Sequence, residues 1–215
     1  MIKLHHCPQT RSMRTLWLLN ELGVEFDVLE WPFDKTLRSA EYLRLNPSGR
    51  VPALEIDGEV LWETGAITEV LCERFPEAGM GRAPDHPERV QWLIWVHFAE
   101  TISQHSAALT QQHIVLYEDE MRSPIIMRIE AKRLEKCYAA LEEGLGDYLL
   151  PSGFSAADIS VGQAIYMSRH FARIDGFPKL AAWYERITAR DGFKRSEPGE
   201  TRLYAQEFYP AWEAP

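Results

Sequence analysis

The sequence predicts an α/β unit in the element order β-α-β-α-β-β-α, followed by a unit built only of helices. Strand-like apolar runs occur early in the chain, where two of them flank the turn dipeptide Asp57-Gly58. Prolines and glycines interrupt every periodic pattern over residues 77–86, which indicates a linker, and the later apolar spacing is helical. We therefore predict an α/β domain over residues 1–76, the linker over 77–86 and an all-α domain over 87–215.

Short-range periodicity predicts the first three elements. Residues 2–6, which end at Cys7-Pro8, predict a short first strand. Apolar residues then recur at helical spacing over residues 12–22, and Gly23 supplies a typical helix stop. Residues 24–31 alternate between apolar and acidic side chains, which predicts a second strand. The intervening helix is long enough to join two parallel strands.

A β-hairpin is the clearest prediction in the N-terminal half. Apolar runs over residues 51–56 and 60–62 lie on either side of Asp57-Gly58, and they predict strands over 53–56 and 59–62. This dipeptide favours a two-residue turn, because glycine readily adopts the positive φ that the turn needs. The two runs therefore predict antiparallel strands. Short helices are predicted before and after the hairpin, near residues 40–45 and from Thr64 to about Phe75.

The C-terminal half shows helical spacing only. The predicted helices cover about 87–118, 123–145, 155–172 and 178–190. Ser155 and Asp158 are spaced as a capping box at the start of the third of these helices, so we assign them to folding rather than to chemistry. The tail after residue 200 is rich in aromatic side chains, and we expect it to pack back on the body of the protein. Its large apolar residues are Leu203, Tyr204, Phe208, Tyr209 and Trp212.

Composition and charge exclude several classes of protein. The chain is 46% hydrophobic and 26% charged, which is ordinary for a soluble globular protein. A formal net charge of −9 argues against a nucleic-acid surface and against binding to an anionic membrane. No apolar run approaches the roughly 18 residues of a membrane span, and no secretory signal is apparent, so we expect a cytoplasmic protein. Neither the three cysteines nor the histidines have metal-binding spacing, so we expect no metal.

The residues around the hairpin have the chemistry to bind a peptide. A Val51–Pro52 bond leading into a strand is a typical place for a cis peptide, which would turn the N–H and C=O of Val51 outward. These groups can pair, as a strand does, with an extended ligand. Glu63, Thr64 and the free N–H groups of a helix N-terminus suit a ligand that carries both an ammonium and a carboxylate. A plain hairpin, with Thr64 capping its own helix, explains the same residues equally well.

The run Arg50-Val51-Pro52-Ala53-Leu54, followed by Glu63-Thr64, resembles the glutathione-binding signature of the cytosolic glutathione S-transferases. The resemblance extends over essentially the whole chain and implies a thioredoxin-like N-terminal domain with an all-α C-terminal domain. It implies a cis Pro52, main-chain bonds from Val51 to the cysteinyl part of glutathione, and contacts from Glu63 and Thr64 to the γ-glutamyl end. Arg50 can pair with the glycyl carboxylate, although a solvated loop arginine is an equal alternative.

The resemblance also implies an enzyme that ionises the thiol of glutathione. The thiolate is the nucleophile and a free thiol titrates at about pH 8.5, so the protein must place a hydrogen-bond donor beside sulfur. The loop over residues 7–12 leads into the first helix, which is a suitable place for that donor. Its Thr-Arg-Ser sequence is similar to that of the bacterial-type, serine- or threonine-using members and puts Thr10 at the position of the catalytic hydroxyl. Ser12 is an alternative, as the donor or as a helix cap.

Two other functions fit the sequence. Cys7-Pro8 resembles the start of the active-site helix in glutaredoxins and cysteine-type transferases, so a glutathione-dependent disulfide reductase that uses Cys7 is one alternative. Thr10 occupies the position of the usual second cysteine, and a buried thiol at a strand end is the simpler interpretation of Cys7. A non-catalytic interaction protein with the same fold is the other alternative. The intact motifs at residues 50–52 and 63–64 argue against it.

The partners are implied by the resemblance rather than by individual residues. Glutathione is the co-substrate, and the second substrate is a small hydrophobic electrophile or a peroxide that lies between the domains. The family also implies a homodimer that acts in detoxification, and the composition leads us to expect no metal, no nucleic acid and no membrane among its partners.

Overall fold

The structure is a computed structural model that describes residues 1–200, 203–204 and 207–211. Its strands are β1 (Ile2–His6), β2 (Asp27–Glu30), β3 (Ala53–Ile56) and β4 (Glu59–Trp62). Its α-helices are α1 (Ser12–Leu22), α2 (Ala40–Leu43), α3 (Thr64–Arg74), α4 (Arg89–Thr110), α5 (Pro124–Gly144), α6 (Ala156–Ser168), α7 (Pro178–Thr188) and α8 (Asp191–Lys194). Short 3-10 turns lie at Lys35–Arg38, Pro76–Ala78 and Asp119–Met121, and a π-helical turn lies at Gln111–Val115.

The strands form one sheet in the order β2-β1-β3-β4. β1 and β2 are parallel, and α1 makes the crossover that a parallel pair requires. β3 is antiparallel to both β1 and β4. The element order is the one predicted from the sequence, and β1, α1, β3 and β4 also have the predicted bounds.

The second strand is shorter than predicted. The sequence indicated a strand over residues 24–31, whereas β2 contains only residues 27–30. The reason is the register with β1, in which Lys3 lies opposite Asp27. Because β1 begins at Ile2, this register leaves Val24 and Glu25 with no residue of β1 to pair with. β2 is also an edge strand, and all four of its residues are exposed. The alternating pattern therefore does not correspond to a buried face.

The hairpin turn has the conformation that its sequence predicts. Asp57 and Gly58 both have positive φ, of 53° and 86°. Two consecutive positive φ values define the primed turn that matches the twist of paired strands. The turn fixes the register of β3 with β4, in which Ala53 lies opposite Trp62. This register determines where the chain enters α3.

The contacts divide the protein into two compact units. The first contains Met1–Leu93 and Thr188–Leu203, and the second contains Ile94–Ile187 and the described residues of Tyr204–Pro215. The helices of the second unit include α5 and α6, and the capping box of α6 is formed by Ser155 and Asp158. The domain boundaries at residues 76 and 87 stay a prediction.

Two described aromatic residues of the tail are buried in the second unit. The hydroxyl of Tyr204 lies 2.8 Å from Thr110 Oγ1. Phe208 stacks on Phe171 with ring centroids 5.4 Å apart. The expectation of a packed tail is therefore confirmed for Tyr204 and Phe208, whereas Trp212 lies outside the described residues. Within the described chain, no helix combines the length and apolar character needed to span a bilayer.

Candidate active site

Three segments of the first unit meet at one end of the sheet. His5 pairs with Ala53 in the β1–β3 register, so the continuation of that register places Cys7 opposite Val51. The β3–β4 register, continued in the same direction, places Val51 opposite Thr64. The loop after β1, the segment that leads into β3 and the start of α3 are therefore neighbours. The sheet brings together the three motifs that the sequence singled out.

Val51 presents unpaired main-chain groups at this end of the sheet. The Val51–Pro52 peptide bond is cis, as predicted. The side-chain amide of Asn46 donates to the carbonyl of Arg50 at 2.7 Å and to that of Pro52 at 3.3 Å, and the Tyr42 hydroxyl donates to Arg50 at 2.8 Å. Neither the N–H nor the C=O of Val51 forms a hydrogen bond to any described residue, and Val51 is only half-buried. The carbonyl groups of Arg50 and Pro52 are thus hydrogen-bonded within the protein, whereas the N–H and C=O of Val51 are accessible to a ligand.

Glu63 has an unusual backbone conformation. Its φ is 74° and its ψ is 117° at the position that precedes α3. A residue with a Cβ atom avoids this region, at a cost of about 1–3 kcal/mol. The side chain is exposed and makes no capping bond to the helix. The strained residue therefore contributes an exposed carboxylate rather than a helix cap.

Thr64, the first residue of α3, is buried and anchored from α1. Its Oγ1 accepts a hydrogen bond from Arg14 Nη1 at 3.0 Å. The next N–H groups, those of Gly65 and Ala66, have no backbone partner in the described chain, as is normal for the first turn of a helix. These donors and the positive end of the helix dipole favour a bound carboxylate.

Arg50 directly precedes Val51, and its main chain and side chain are in different environments. Its carbonyl is held by Tyr42 and Asn46. Its side chain is exposed, and within the described residues the guanidinium forms neither a hydrogen bond nor an ion pair. The positive charge is therefore available to an anionic ligand. The same exposure is also expected of an arginine that is only solvated.

The loop between β1 and α1 carries the two candidate hydroxyl groups. Thr10 Oγ1 lies 2.8 Å from the carbonyl oxygen of Cys7 and 2.9 Å from Ser12 Oγ. Thr10 is 8% exposed, whereas Ser12 is fully buried. A direct contact with a ligand is thus compatible with the position of Thr10 and not with that of Ser12.

Ser12 links the loop to the end of β1. Its Oγ accepts a hydrogen bond from the N–H of Cys7 at 3.0 Å and lies 2.8 Å from His6 Nδ1. Burial lowers the pKa of His6 to about 4. His6 is therefore a neutral imidazole at pH 7. The two adjacent histidines face opposite ways, as the strand periodicity predicts, because His5 contacts Trp31 and Glu55 instead.

Cys7 is placed unfavourably for nucleophilic chemistry. It is 2% exposed. Burial, followed by the negative charges of Glu30 and Asp34, raises the pKa of its thiol to about 11. The thiol is therefore protonated at neutral pH, and this environment favours the interpretation of Cys7 as a packed residue.

Sequence reasoning did not single out Asn46, Arg14 or His6. Asn46 is 3% exposed and Arg14 is 1% exposed, although both residue types are usually at the surface. The signal for Arg14 was weak, since one charged residue within an apolar helix normally marks its solvent face. Across residues 1–200, 203–204 and 207–211, no group of His, Cys, Asp and Glu side chains is arranged to hold a metal ion.

Comparison with known families decides the assignment of the chain. Residues 1–72 match the family model described as the N-terminal domain of glutathione S-transferase. Residues 126–186 match the model of the C-terminal domain of the same family. The chain belongs to the glutathione S-transferase family. The predictions of a thioredoxin-like domain with a helical C-terminal domain, and of a glutathione S-transferase enzyme, are confirmed.

Individual relatives are similar over most of their length. A glutathione S-transferase of Arabidopsis thaliana is 29% identical over 87% of this chain and 90% of its own. The protein LigF of Sphingobium is also 29% identical, over 87% of this chain and 89% of its own. Among solved structures, a sphingomonad glutathione S-transferase complexed with glutathione covers 90% of this chain and 96% of its own, with a TM-score of 0.78 and 24% identity.

Proposed function

We propose that this glutathione S-transferase binds glutathione at the end of the sheet described above and ionises its thiol through the hydroxyl of Thr10. The thiolate then attacks an electrophilic carbon of a small hydrophobic molecule and displaces its leaving group, or it attacks one oxygen of a peroxide and breaks the O–O bond. The observation that carries the proposal is the convergence of Val51, Glu63 and the Thr10 loop on one sheet end. The glutathione bound to the sphingomonad relative supports the choice of ligand.

Each part of glutathione has a chemically matched partner in the proposed complex. The N–H and C=O of Val51 pair with the main chain of the cysteinyl residue, as in an added strand. The carboxylate of Glu63 takes the γ-glutamyl ammonium, while Thr64 and the first N–H groups of α3 take its carboxylate. Arg50 pairs with the glycyl carboxylate. The strain at Glu63 supports this assignment, because such outliers cluster at ligand sites.

Thr10 supplies the thiolate stabilisation. Its Oγ1 is bonded to the carbonyl of Cys7, and Cys7 lies opposite Val51 by the sheet register. A hydroxyl placed there can donate to the sulfur of a cysteinyl residue that is bound to Val51. A hydrogen bond to a charged group contributes about 1.5–3 kcal/mol, which lowers the thiol pKa by about 1–2 units. Ser12 is buried and contacts the hydroxyl of Thr10 rather than the ligand.

The two alternatives have weaker support. A disulfide reductase would need a reactive Cys7, and that thiol is buried with a raised pKa. A non-catalytic interaction protein would have no use for a strained Glu63 or for the open main-chain groups of Val51. We extend the proposal to the properties typical of the family, namely a cytoplasmic homodimer that acts in detoxification.

The proposal is tested by binding and turnover in matched variants. Glutathione affinity is measured by calorimetry, and conjugation is measured with an aryl halide as the electrophile. We expect Thr10→Val to lower kcat/KM by about 10- to 100-fold, which corresponds to about 1.4–2.7 kcal/mol. Thr15→Val is the matched control, because Thr15 is also buried in this region and its Oγ1 has no hydrogen-bond partner in the described chain. Absence of glutathione binding by the wild-type protein would overturn the proposal.

A further inference from the structure

Four polar atoms surround the hydroxyl of Ser12. The N–H of Cys7 lies 3.0 Å from Ser12 Oγ and the carbonyl oxygen of Cys7 lies 3.1 Å from it. Thr10 Oγ1 lies at 2.9 Å and His6 Nδ1 at 2.8 Å. A serine hydroxyl has one proton to donate and two lone pairs that accept. The four contacts are therefore possible only in a few arrangements of protons.

One arrangement keeps the proton of Thr10 inside the loop. If His6 Nδ1 carries no proton, it accepts from Ser12, the donor that the structure places beside it. The Ser12 proton is then unavailable to the carbonyl of Cys7. That carbonyl depends on the hydroxyl of Thr10, 2.8 Å away. Thr10 cannot donate to sulfur without leaving the carbonyl unpaired, which is costly in a buried site.

The other arrangement releases Thr10. If His6 Nδ1 carries the proton, it donates to Ser12 Oγ, whose second lone pair accepts from the N–H of Cys7. The Ser12 proton then has two acceptors within reach, Thr10 Oγ1 at 2.9 Å and the carbonyl of Cys7 at 3.1 Å. When the Ser12 proton points to the carbonyl of Cys7, this carbonyl no longer requires Thr10, and the Thr10 proton can point to a bound sulfur.

We propose that His6 is a positioning residue, which donates from Nδ1 to Ser12, directs the Ser12 proton to Cys7 and thereby frees the hydroxyl of Thr10 for the sulfur of glutathione. The inference rests on the proposed function of Thr10. It assigns a role to a buried histidine that is not among the residues proposed to contact glutathione.

The surroundings of His6 are compatible with this tautomer. The residue lines a cavity of about 440 Å³, together with Asn20 and Val28. Water in such a cavity can donate to Nε2, which is the acceptor nitrogen when the proton lies on Nδ1. Burial keeps the ring neutral at pH 7, as the lowered pKa of His6 indicates, so its proton is confined to one nitrogen.

His5 carries its proton on the other ring nitrogen and therefore serves as an internal reference for the tautomer of His6. Its Nδ1 must accept, because the indole N–H of Trp31, 3.0 Å away, can only donate. Its Nε2 therefore carries the proton and donates to Glu55 at 2.9 Å. The two adjacent residues should give distinct ring-nitrogen signals in the same spectrum.

The first test is a long-range ¹H–¹⁵N NMR spectrum of the wild-type protein with saturating glutathione. We expect His6 to show a proton on Nδ1 and His5 to show one on Nε2. A proton on Nε2 of His6 in the complex would overturn the inference. This measurement needs no substitution and therefore does not depend on the folding of a variant.

The second test is the pKa of the bound glutathione thiol, read from the ultraviolet absorbance of the thiolate. We expect His6→Leu to raise this pKa by about 1–2 units, as Thr10→Val does. His6→Asn should raise it less, because the asparagine amide can donate from the position of Nδ1. His5→Leu is the matched control and should leave the thiol pKa unchanged.

The variants distinguish the role of Thr10 from the role of His6. If Thr10→Val raises the thiol pKa and His6→Leu does not, His6 has no positioning role and the function of Thr10 stands. If the wild-type protein does not lower the thiol pKa at all, both the proposed function and the role of His6 are overturned.

Discussion

Arg14 Nη1 and Thr64 Oγ1 form a hydrogen bond of 3.0 Å in the interior of the first unit. Arg14 is 1% exposed and Thr64 is 4% exposed, so the bond forms with little competition from water. It joins the first helix to the first residue of α3. The helix N-terminus that we assign to the γ-glutamyl end is thus held by a charged side chain from the helix that follows the Thr10 loop.

Removal of the Thr64 hydroxyl tests this contact. Thr64→Val keeps the shape of the side chain and removes the acceptor for Arg14. We expect the affinity for glutathione to fall by about 10- to 100-fold, since hydrogen bonds to charged groups contribute about 1.5–3 kcal/mol. Calorimetric titration with glutathione measures the change. Thr64→Ser retains the hydroxyl and should bind nearly as well as the wild type; an equal loss in both variants would contradict the account.

Substitution of Glu63 should separate stability from binding. Glu63→Gly relieves a backbone strain of about 1–3 kcal/mol, partly offset by the greater freedom of glycine in the unfolded chain, which costs about 0.5–1 kcal/mol. We expect the free energy of unfolding in urea to rise by about 1 kcal/mol while glutathione affinity falls at least tenfold. Glu63→Ala removes the carboxylate and keeps the strain, so it should lose affinity without gaining stability. Unchanged affinity in both variants would exclude Glu63 from the binding site.

Cys7 should be dispensable for activity. Burial and neighbouring carboxylates raise the pKa of its thiol to about 11, so little thiolate exists at pH 7. We expect Cys7→Ser to retain most of the glutathione conjugation rate. Alkylation of Cys7 by iodoacetamide in the native protein should be slower than in the unfolded protein, as followed by peptide mass spectrometry. Loss of activity in a folded Cys7→Ser variant would instead favour the disulfide reductase.

The hairpin and its flanking motifs could be predicted because their signals are local. Asp57-Gly58 specifies its own turn, and the two runs beside it have the length and residue types of strands. Val51-Pro52 and Glu63-Thr64 follow at fixed positions from that hairpin. The sheet register then brings them to the same end as Cys7. The position of the candidate site is therefore contained in short stretches of sequence.

The parts that could not be predicted depend on contacts between distant residues. Arg14 is buried and bonds to Thr64, 50 residues further along the chain. The amide of Asn46 donates to the carbonyl of Arg50, which comes near it only when the segment has folded. The length of β2 is set by its partner strand rather than by its own alternation. The change from α to π geometry after Thr110 also has no signature in apolar spacing.

The stability of the protein should depend on pH through His6. Burial lowers the pKa of His6 to about 4, whereas an unfolded histidine titrates at about 6.5, so the unfolded chain binds more protons between these values. Neutral His6 therefore leaves the free energy of unfolding undiminished above pH 6.5. As the pH falls toward 4, protonation of the unfolded chain lowers this free energy by up to about 3 kcal/mol. We expect the urea midpoint of His6→Asn to fall less than that of the wild type over this range. Parallel curves for the two proteins would contradict the assignment.

The ionisation of glutathione in the binary complex tests the central claim most directly. The ultraviolet absorbance of the thiolate is followed as a function of pH with the wild-type protein, Thr10→Val and the control Thr15→Val. We predict a thiol pKa in the wild-type complex at least about one unit below the free value of about 8.5, retained in Thr15→Val and lost in Thr10→Val. A wild-type complex in which glutathione binds but its thiol titrates at the free value would contradict the account.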